Sequence, residues 1–190
     1  MTALTEQQSV TIQRVGDRGE NALAENTDYW QRTGCLPPEL VTGHKLIDFE
    51  HRFLVSAIAA LRRLCADLPS ATDCRACGPD VQERCEKQLI SMMGDLFAFM
   101  LEHFKTEEAV MRDSLLLMVD RDICLAHMED HAEIAKKMQE IVMALDREHT
   151  VWRIRELDAL LSRWMTHHIA LHDLMLSRWI SREDSMLKGL

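Results

Sequence analysis

Residues 123–145 read ICLAHMEDHAEIAKKMQEIVMAL. Ile123, His127, His131, Ile134, Met138, Ile141 and Leu145 recur at spacings of three and four, the period of one helix face. The stretch is an amphipathic helix whose apolar face opens with two histidines. A buried, unpaired histidine costs on the order of a few kcal/mol. A single one is ordinarily a core side chain bonded to a neighbouring carbonyl. Two, one turn apart, ask what the other helices bring to the same place.

Three more helical stripes lie outward from this one. Ile47, His51, Leu54, Val55, Ile58, Leu61 and Cys65 mark the first helix. The segment DLPSATDCRACGP breaks it, and PDVQERC starts the second, with Asp80 and Glu83 spaced as a capping box. The second stripe is Leu89, Met92, Leu96, Phe99, His103, Glu107 and Val110. Asp120 or Asp122 caps the third helix. The fourth carries Leu157, Leu161, Trp164, His168, Leu171 or His172, Met175 and Trp179. No stretch reads as a strand. The fold class is all-α: an antiparallel up-down-up-down four-helix bundle over residues 41–190. An irregular N-terminal arm over residues 1–40 precedes it, pinned by Trp30, and a cysteine-bearing insertion over 66–80 separates helices one and two.

Composition sets outer bounds. Hydrophobic residues make up 47% of the 190, while Gly (7) and Pro (4) are scarce, as in a helical globular chain. A net charge of -9 argues against nucleic acid and anionic membrane surfaces as partners. The first 26 residues hold no apolar run and no basic leader, and no apolar stretch has membrane-spanning length. The expectation is a cytoplasmic protein with mostly reduced thiols.

His51, His103, His127, His131 and His168 all fall on inward stripes, and Glu107 lies one turn after His103. In an antiparallel bundle the start of helix one, the end of helix two, the start of helix three and the far part of helix four share one layer. HFKTE and HMEDH each aim two side chains at one point from a single helix. Six or seven such ligands are too many for one tetrahedral zinc and suit two transition ions.

The stretches TGHKLIDFEHRFL, FMLEHFKTEEAVM, AHMEDHAEI and RWMTHHIALHD together resemble the hemerythrin family, in its bacterial branch. The resemblance covers about residues 40–180. It implies a non-haem di-iron site bridged by an oxo or hydroxo group. His127, His131 and His168 would hold one iron. His51 and His103 would hold the other, with a position open for O2. Glu107 and Asp173 would bridge. The implied function is reversible O2 binding for storage, delivery to an oxidase, or sensing through a signalling partner, without catalysis. The imidazole-rich set, lacking the Glu-x-x-His pairs of di-iron oxidases, favours binding O2 over splitting it. A di-iron enzyme acting on peroxide or NO is the alternative within the same chemistry. His44, just before the first helix, is read as no ligand.

RWMTHHIALHDLM sets spacing against resemblance. An ideal helix puts His172 about 40° from His168 and Asp173 about 140° away. Spacing therefore selects His172, and the resemblance selects Asp173. Both are reconciled by a π-type turn between His168 and Asp173 that displaces His172.

Cys65, Cys74, Cys77 and Cys85 flank the first connection. Converging, they would hold zinc or an iron–sulfur cluster, or form a thiol–disulfide switch through which the chain senses redox state or O2. Otherwise they are small apolar residues with an incidental CxxC.

Overall fold

The computed structural model describes residues 25–26, 29–30, 32–64, 74, 77–146 and 149–188. Among them every regular element is helical. Four long helices carry the bundle: α1 (Lys45–Arg63), α2 (Pro79–Asp113), α3 (Arg121–Met143) and α4 (Thr150–His168). A π turn, Ile169–Asp173, joins α4 to α5 (Leu174–Lys188). α1 packs against α2 and α4, and α3 packs against α4 and α2. That closed ring is the expected up-down-up-down bundle.

The helix ends follow local chemistry. His44 caps α1 through Nδ1, which accepts from the Ile47 amide at 3.4 Å. Buried Asp48 accepts from the Thr42 amide and hydroxyl, each at 2.8 Å, and fixes the turn before α1. Gly43, at φ 84°, supplies the left-handed residue that turn needs. At the head of α2 the capping-box reading fails: Gly78 is the N-cap without a side-chain bond, and Pro79 is the first helical residue. Proline suits that place because its missing N–H has no helical partner. α2 ends at Ser114 without glycine or proline. A short turn, Leu116–Val119, follows, and Asp120 caps α3 by accepting from the Ile123 amide at 3.3 Å.

The largest core cluster runs from Leu54, Val55, Ile58 and Leu61 of α1 through Leu96 and Met100 to Ile134, Met138, Leu157 and Leu161. Fully burying each such side chain contributes about 1.5–3 kcal/mol. Trp30, 1% exposed, joins this cluster and donates from Nε1 to Thr166 Oγ1 at 3.1 Å, which pins the arm; its described residues 25–26, 29–30 and 32–33 are helical rather than irregular. Arg62 of α1 forms a two-pronged pair with Asp158 of α4 at 2.8 and 2.9 Å. A second cluster, Ile47, Met111, Leu116, Cys124 and Leu176, closes the far end beyond the histidines.

Two stripes differ in phase from the sequence reading. On α2, Met93, Met100 and Met111 are buried in place of Met92, Phe99 and Val110. Leu89, Met93, Leu96, Met100 and His103 step by four and three, a 3.5-residue seam of the kind that side chains of packed helices follow. Beyond α4, Leu171 and Met175 are exposed and Leu176 is buried. The π turn adds a residue and shifts every later side chain.

Candidate metal centre

The predicted layer exists. His51 from α1, His103 and Glu107 from α2, His127 and His131 from α3, His168 from α4 and Asp173 from the π turn converge, each 3% exposed or less. They fall into two groups that could each hold a metal ion, Glu107 with His127, His131 and His168, and Glu107 with His51, His103 and Asp173; a third such group is Asp130, His168 and His172.

Glu107 divides its oxygens between the groups. Oε2 lies 3.2, 3.0 and 3.4 Å from Nε2 of His127, His131 and His168. Oε1 lies 3.4 Å from His103 Nε2 and 3.8 Å from His51 Nε2. Asp173 repeats the division: Oδ1 is 3.3 Å from His127 Nε2 and 3.2 Å from His168 Nε2, and Oδ2 is 3.0 Å from His51 Nε2.

Asp173 gets there through the π turn. The Leu174 amide donates to the Ile169 carbonyl, an i→i+5 bond, so a residue five positions on takes the place that four positions on holds in an α-helix. His172 is swung aside and half-buried, its ring stacked on His127 with centroids 5.0 Å apart. His167 is exposed.

The atoms at the centre are short of protein partners. His51 Nε2, His103 Nε2, Glu107 Oε1 and both Asp173 oxygens are buried without a hydrogen bond. Orphaned buried polar atoms that converge on one point fit bound cations. Their electrostatics agree. Burial would raise Glu107, but the charge of His103 and hydrogen bonds from His127, His131 and His168 hold it well below the usual range. Burial and the Glu107 charge would raise Asp173, and His168 and His127 overcome both. Burial would lower His51, yet Asp173 and Glu107 bring it up to about 9. Without cations, protons take their place.

The description Hemerythrin HHE cation binding domain matches residues 42–180. The chain belongs to the hemerythrin family. No curated protein and no solved structure gave a match.

This hemerythrin domain also has residues that the sequence reading missed. Asp130 Oδ2 accepts from His168 Nδ1 and from Trp164 Nε1, both at 2.7 Å. Glu50 Oε2 lies 3.0 Å from His103 Nδ1, and Glu50 Oε1 accepts from Thr106 Oγ1 at 3.0 Å. Both acids immediately precede a stripe histidine, Glu50 before His51 and Asp130 before His131. That adjacency was the available signal. Each acid serves not its neighbour in sequence but a histidine on the next helix. Flat rings cover the three-histidine group. Phe104 stacks on His131 at 4.0 Å, Trp164 on His168 at 4.6 Å, and His172 on His127.

Cys74, Cys77 and Cys85 form no disulfide, and no candidate ligand group among the described residues contains a cysteine. Cys65 lies outside the described residues. Gln82 fills part of that loop, donating from Nε2 to the Cys74 and Cys77 carbonyls at 2.6 and 2.9 Å. Among the described residues no helix is long and apolar enough to cross a membrane.

Proposed function

We propose that this chain binds O2 reversibly at a pair of non-haem iron ions, as a protein of the bacterial hemerythrin branch. His127, His131 and His168 would hold one ion, His51 and His103 would hold the other, and Glu107 and Asp173 would each offer an oxygen to both. The observation that carries this reading is the divided carboxylate: each acid turns one oxygen to each histidine group. Five neutral imidazoles and two carboxylates, with one hydroxide, bring two divalent ions close to neutrality. A near-neutral centre suits this dry interior. The iron pair, when bound, supplies the electrons for reversible O2 binding.

The chain's own groups do the rest. With both carboxylates shared, the two-histidine side would have one protein ligand fewer, a position that O2 could take. Phe104, Trp164 and His172 lie flat on the three-histidine side and exclude water there. Asp130 and Glu50 hold the outer nitrogens of His168 and His103, which keeps the inner nitrogens aimed at the centre. The role is binding rather than catalysis, as a cytoplasmic store, carrier or sensor.

The test is optical. The anaerobically reduced, iron-loaded protein is exposed to O2 and then deoxygenated. A visible charge-transfer band should appear and disappear over repeated cycles. Irreversible oxidation in the first cycle, with no such band, would falsify O2 carriage.

A further inference from the structure

Two carboxylates outside the ligand set occupy matched positions. Asp130 of α3 accepts from His168 Nδ1 on α4 at 2.7 Å, and Glu50 of α1 lies 3.0 Å from His103 Nδ1 on α2. Each is itself held by a donor, Asp130 by Trp164 Nε1 and Glu50 by Thr106 Oγ1. His168 belongs to one ligand group and His103 to the other. Each proposed metal position therefore has one imidazole backed by an anchored carboxylate. By contrast, His51 Nδ1 is buried without a hydrogen bond, and His131 Nδ1 has only the Glu108 carboxylate at 3.5 Å, with no hydrogen bond formed.

A carboxylate behind a ligating imidazole does two things. Accepting the Nδ1 proton fixes the tautomer, so that Nε2 presents its lone pair inward. It also pushes electron density through the ring and makes Nε2 a stronger donor. Stronger donation favours the higher charge state of a metal. The bond is charge-assisted, and the imidazole is buried in both cases; Glu50 is largely buried too, while Asp130 is partly exposed and more screened.

We propose that Asp130 and Glu50 are a matched pair of positioning residues, one per metal position, that lower the reduction potential of the iron pair through His168 and His103. Trp164 tempers the effect on its side by sharing the Asp130 oxygen that His168 uses. The proposal rests on the di-iron reading above. The consequence is slower release of O2 than from the same centre without the two acids, because more electron-rich iron holds O2 more tightly.

Both acids also tie neighbouring helices, so a purely structural role must be separated from an electronic one. The full-length chain is loaded with iron, its iron counted, and its reduction potential measured for wild type, Asp130→Asn, Glu50→Gln, Trp164→Phe and the control Glu133→Gln. Glu133 is an exposed neighbour that pairs with Lys137. Asp130→Asn and Glu50→Gln should each raise the potential. Trp164→Phe should lower it, because Asp130 loses its other donor while a ring still covers His168. Glu133→Gln should leave it unchanged. Opposite signs at Asp130 and Trp164 are a pattern that loosened packing does not produce. Should a variant fold but load too weakly for potentiometry, iron affinity becomes the readout. A loss at Asp130 or Glu50 that is larger for the ferric than for the ferrous ion supports the proposal, and an equal loss in both states overturns it. Equal affinity or potential across the folded variants overturns it, as does a shift of the same sign in Asp130→Asn and Trp164→Phe. A wild-type chain that takes up fewer than two irons overturns the di-iron reading itself, and this proposal with it.

Discussion

Glu107 and Asp173 meet from opposite sides of the bundle, and each turns one oxygen to His51 and the other to His127. Glu107 lies 3.8 and 3.2 Å from the two rings, and Asp173 lies 3.0 and 3.3 Å from them. The acids are equivalent in geometry and unequal in sequence. Glu107 sits one helical turn after His103, while Asp173 depends on a single π turn.

That relationship predicts the metal count. Wild type should bind two irons per chain. Glu107→Ala should bind one or none, because both ligand groups contain Glu107. Asp173→Ala should lose chiefly the ion at His51 and His103, the group that contains Asp173. Iron per chain, measured after desalting, checks this. Two irons retained by Glu107→Ala would count against bridging.

The π turn separates two neighbours that a helical wheel ranks the wrong way. His172→Ala should keep both irons, because His172 lies on the face of His127 rather than at the centre. It should oxidise faster in air, since His127 loses its covering ring. His168→Ala should lose iron from the three-histidine group. A joint measurement of iron content and autoxidation rate distinguishes the two.

The bundle and the convergence of the histidines were legible because 3.6-residue periodicity and antiparallel order suffice to bring His51, His103, His127, His131 and His168 together. The phase of α2 was not, because Met92 and Met93, or Phe99 and Met100, are equally apolar. Only the neighbouring helices decide which one faces in. Asp173 was reached through the family's motif, since its bonding depends on an i→i+5 turn that no local residue type announces. Asp130 and Glu50 escaped notice because each acts on a different helix from its own, and pairing across helices has no period in the sequence. Among the described residues Cys74, Cys77 and Cys85 share no ligand group for a related reason, while Cys65 lies outside them. Spacing placed them near one loop without fixing where their side chains point.

The arm should contribute strongly to stability. Trp30 is 1% exposed and hydrogen-bonded to Thr166. Trp30→Ala should cost about 3–5 kcal/mol in urea unfolding, the range for emptying a buried aromatic site. Trp30→Phe should cost less, since most of the volume remains and Thr166 Oγ1 keeps its bond to the Ser162 carbonyl.

The thiols should prove dispensable to the metal centre. Cys77→Ser and Cys85→Ser should leave two irons per chain and add no loss of zinc, because neither thiol belongs to a ligand group among the described residues. Elemental analysis of each variant for iron and zinc checks this. A zinc stoichiometry near one that vanishes with Cys77 would revive a second metal site.

Protons and metal ions compete for the same atoms, so the metal-free and loaded proteins should respond oppositely to rising pH. In the metal-free chain burial favours neutral His51, but Asp173 and Glu107 raise it to about 9. Burial likewise opposes the charge on His168, and Asp173 and Asp130 raise it well above its ordinary value. Groups raised on folding stabilise fully below their unfolded value of 6.5 and lose that contribution as pH climbs through the folded value. Glu107 and Asp173 are lowered despite burial, so their contribution is present above the usual carboxylate range and lost as pH falls. His131, lowered first by burial, adds to the acid loss, since it must be charged to unfold in acid. The metal-free chain should therefore be most stable near pH 6.5 and should lose stability from there to about 9. Ions that replace the protons on His51 and His168 reverse that upper limb. Metal affinity should rise across the same interval, with proton release on binding. Thermal melts across the pH series, with and without metal, should diverge above pH 6.5. Parallel curves would mean that the buried histidines do not exchange protons for metal.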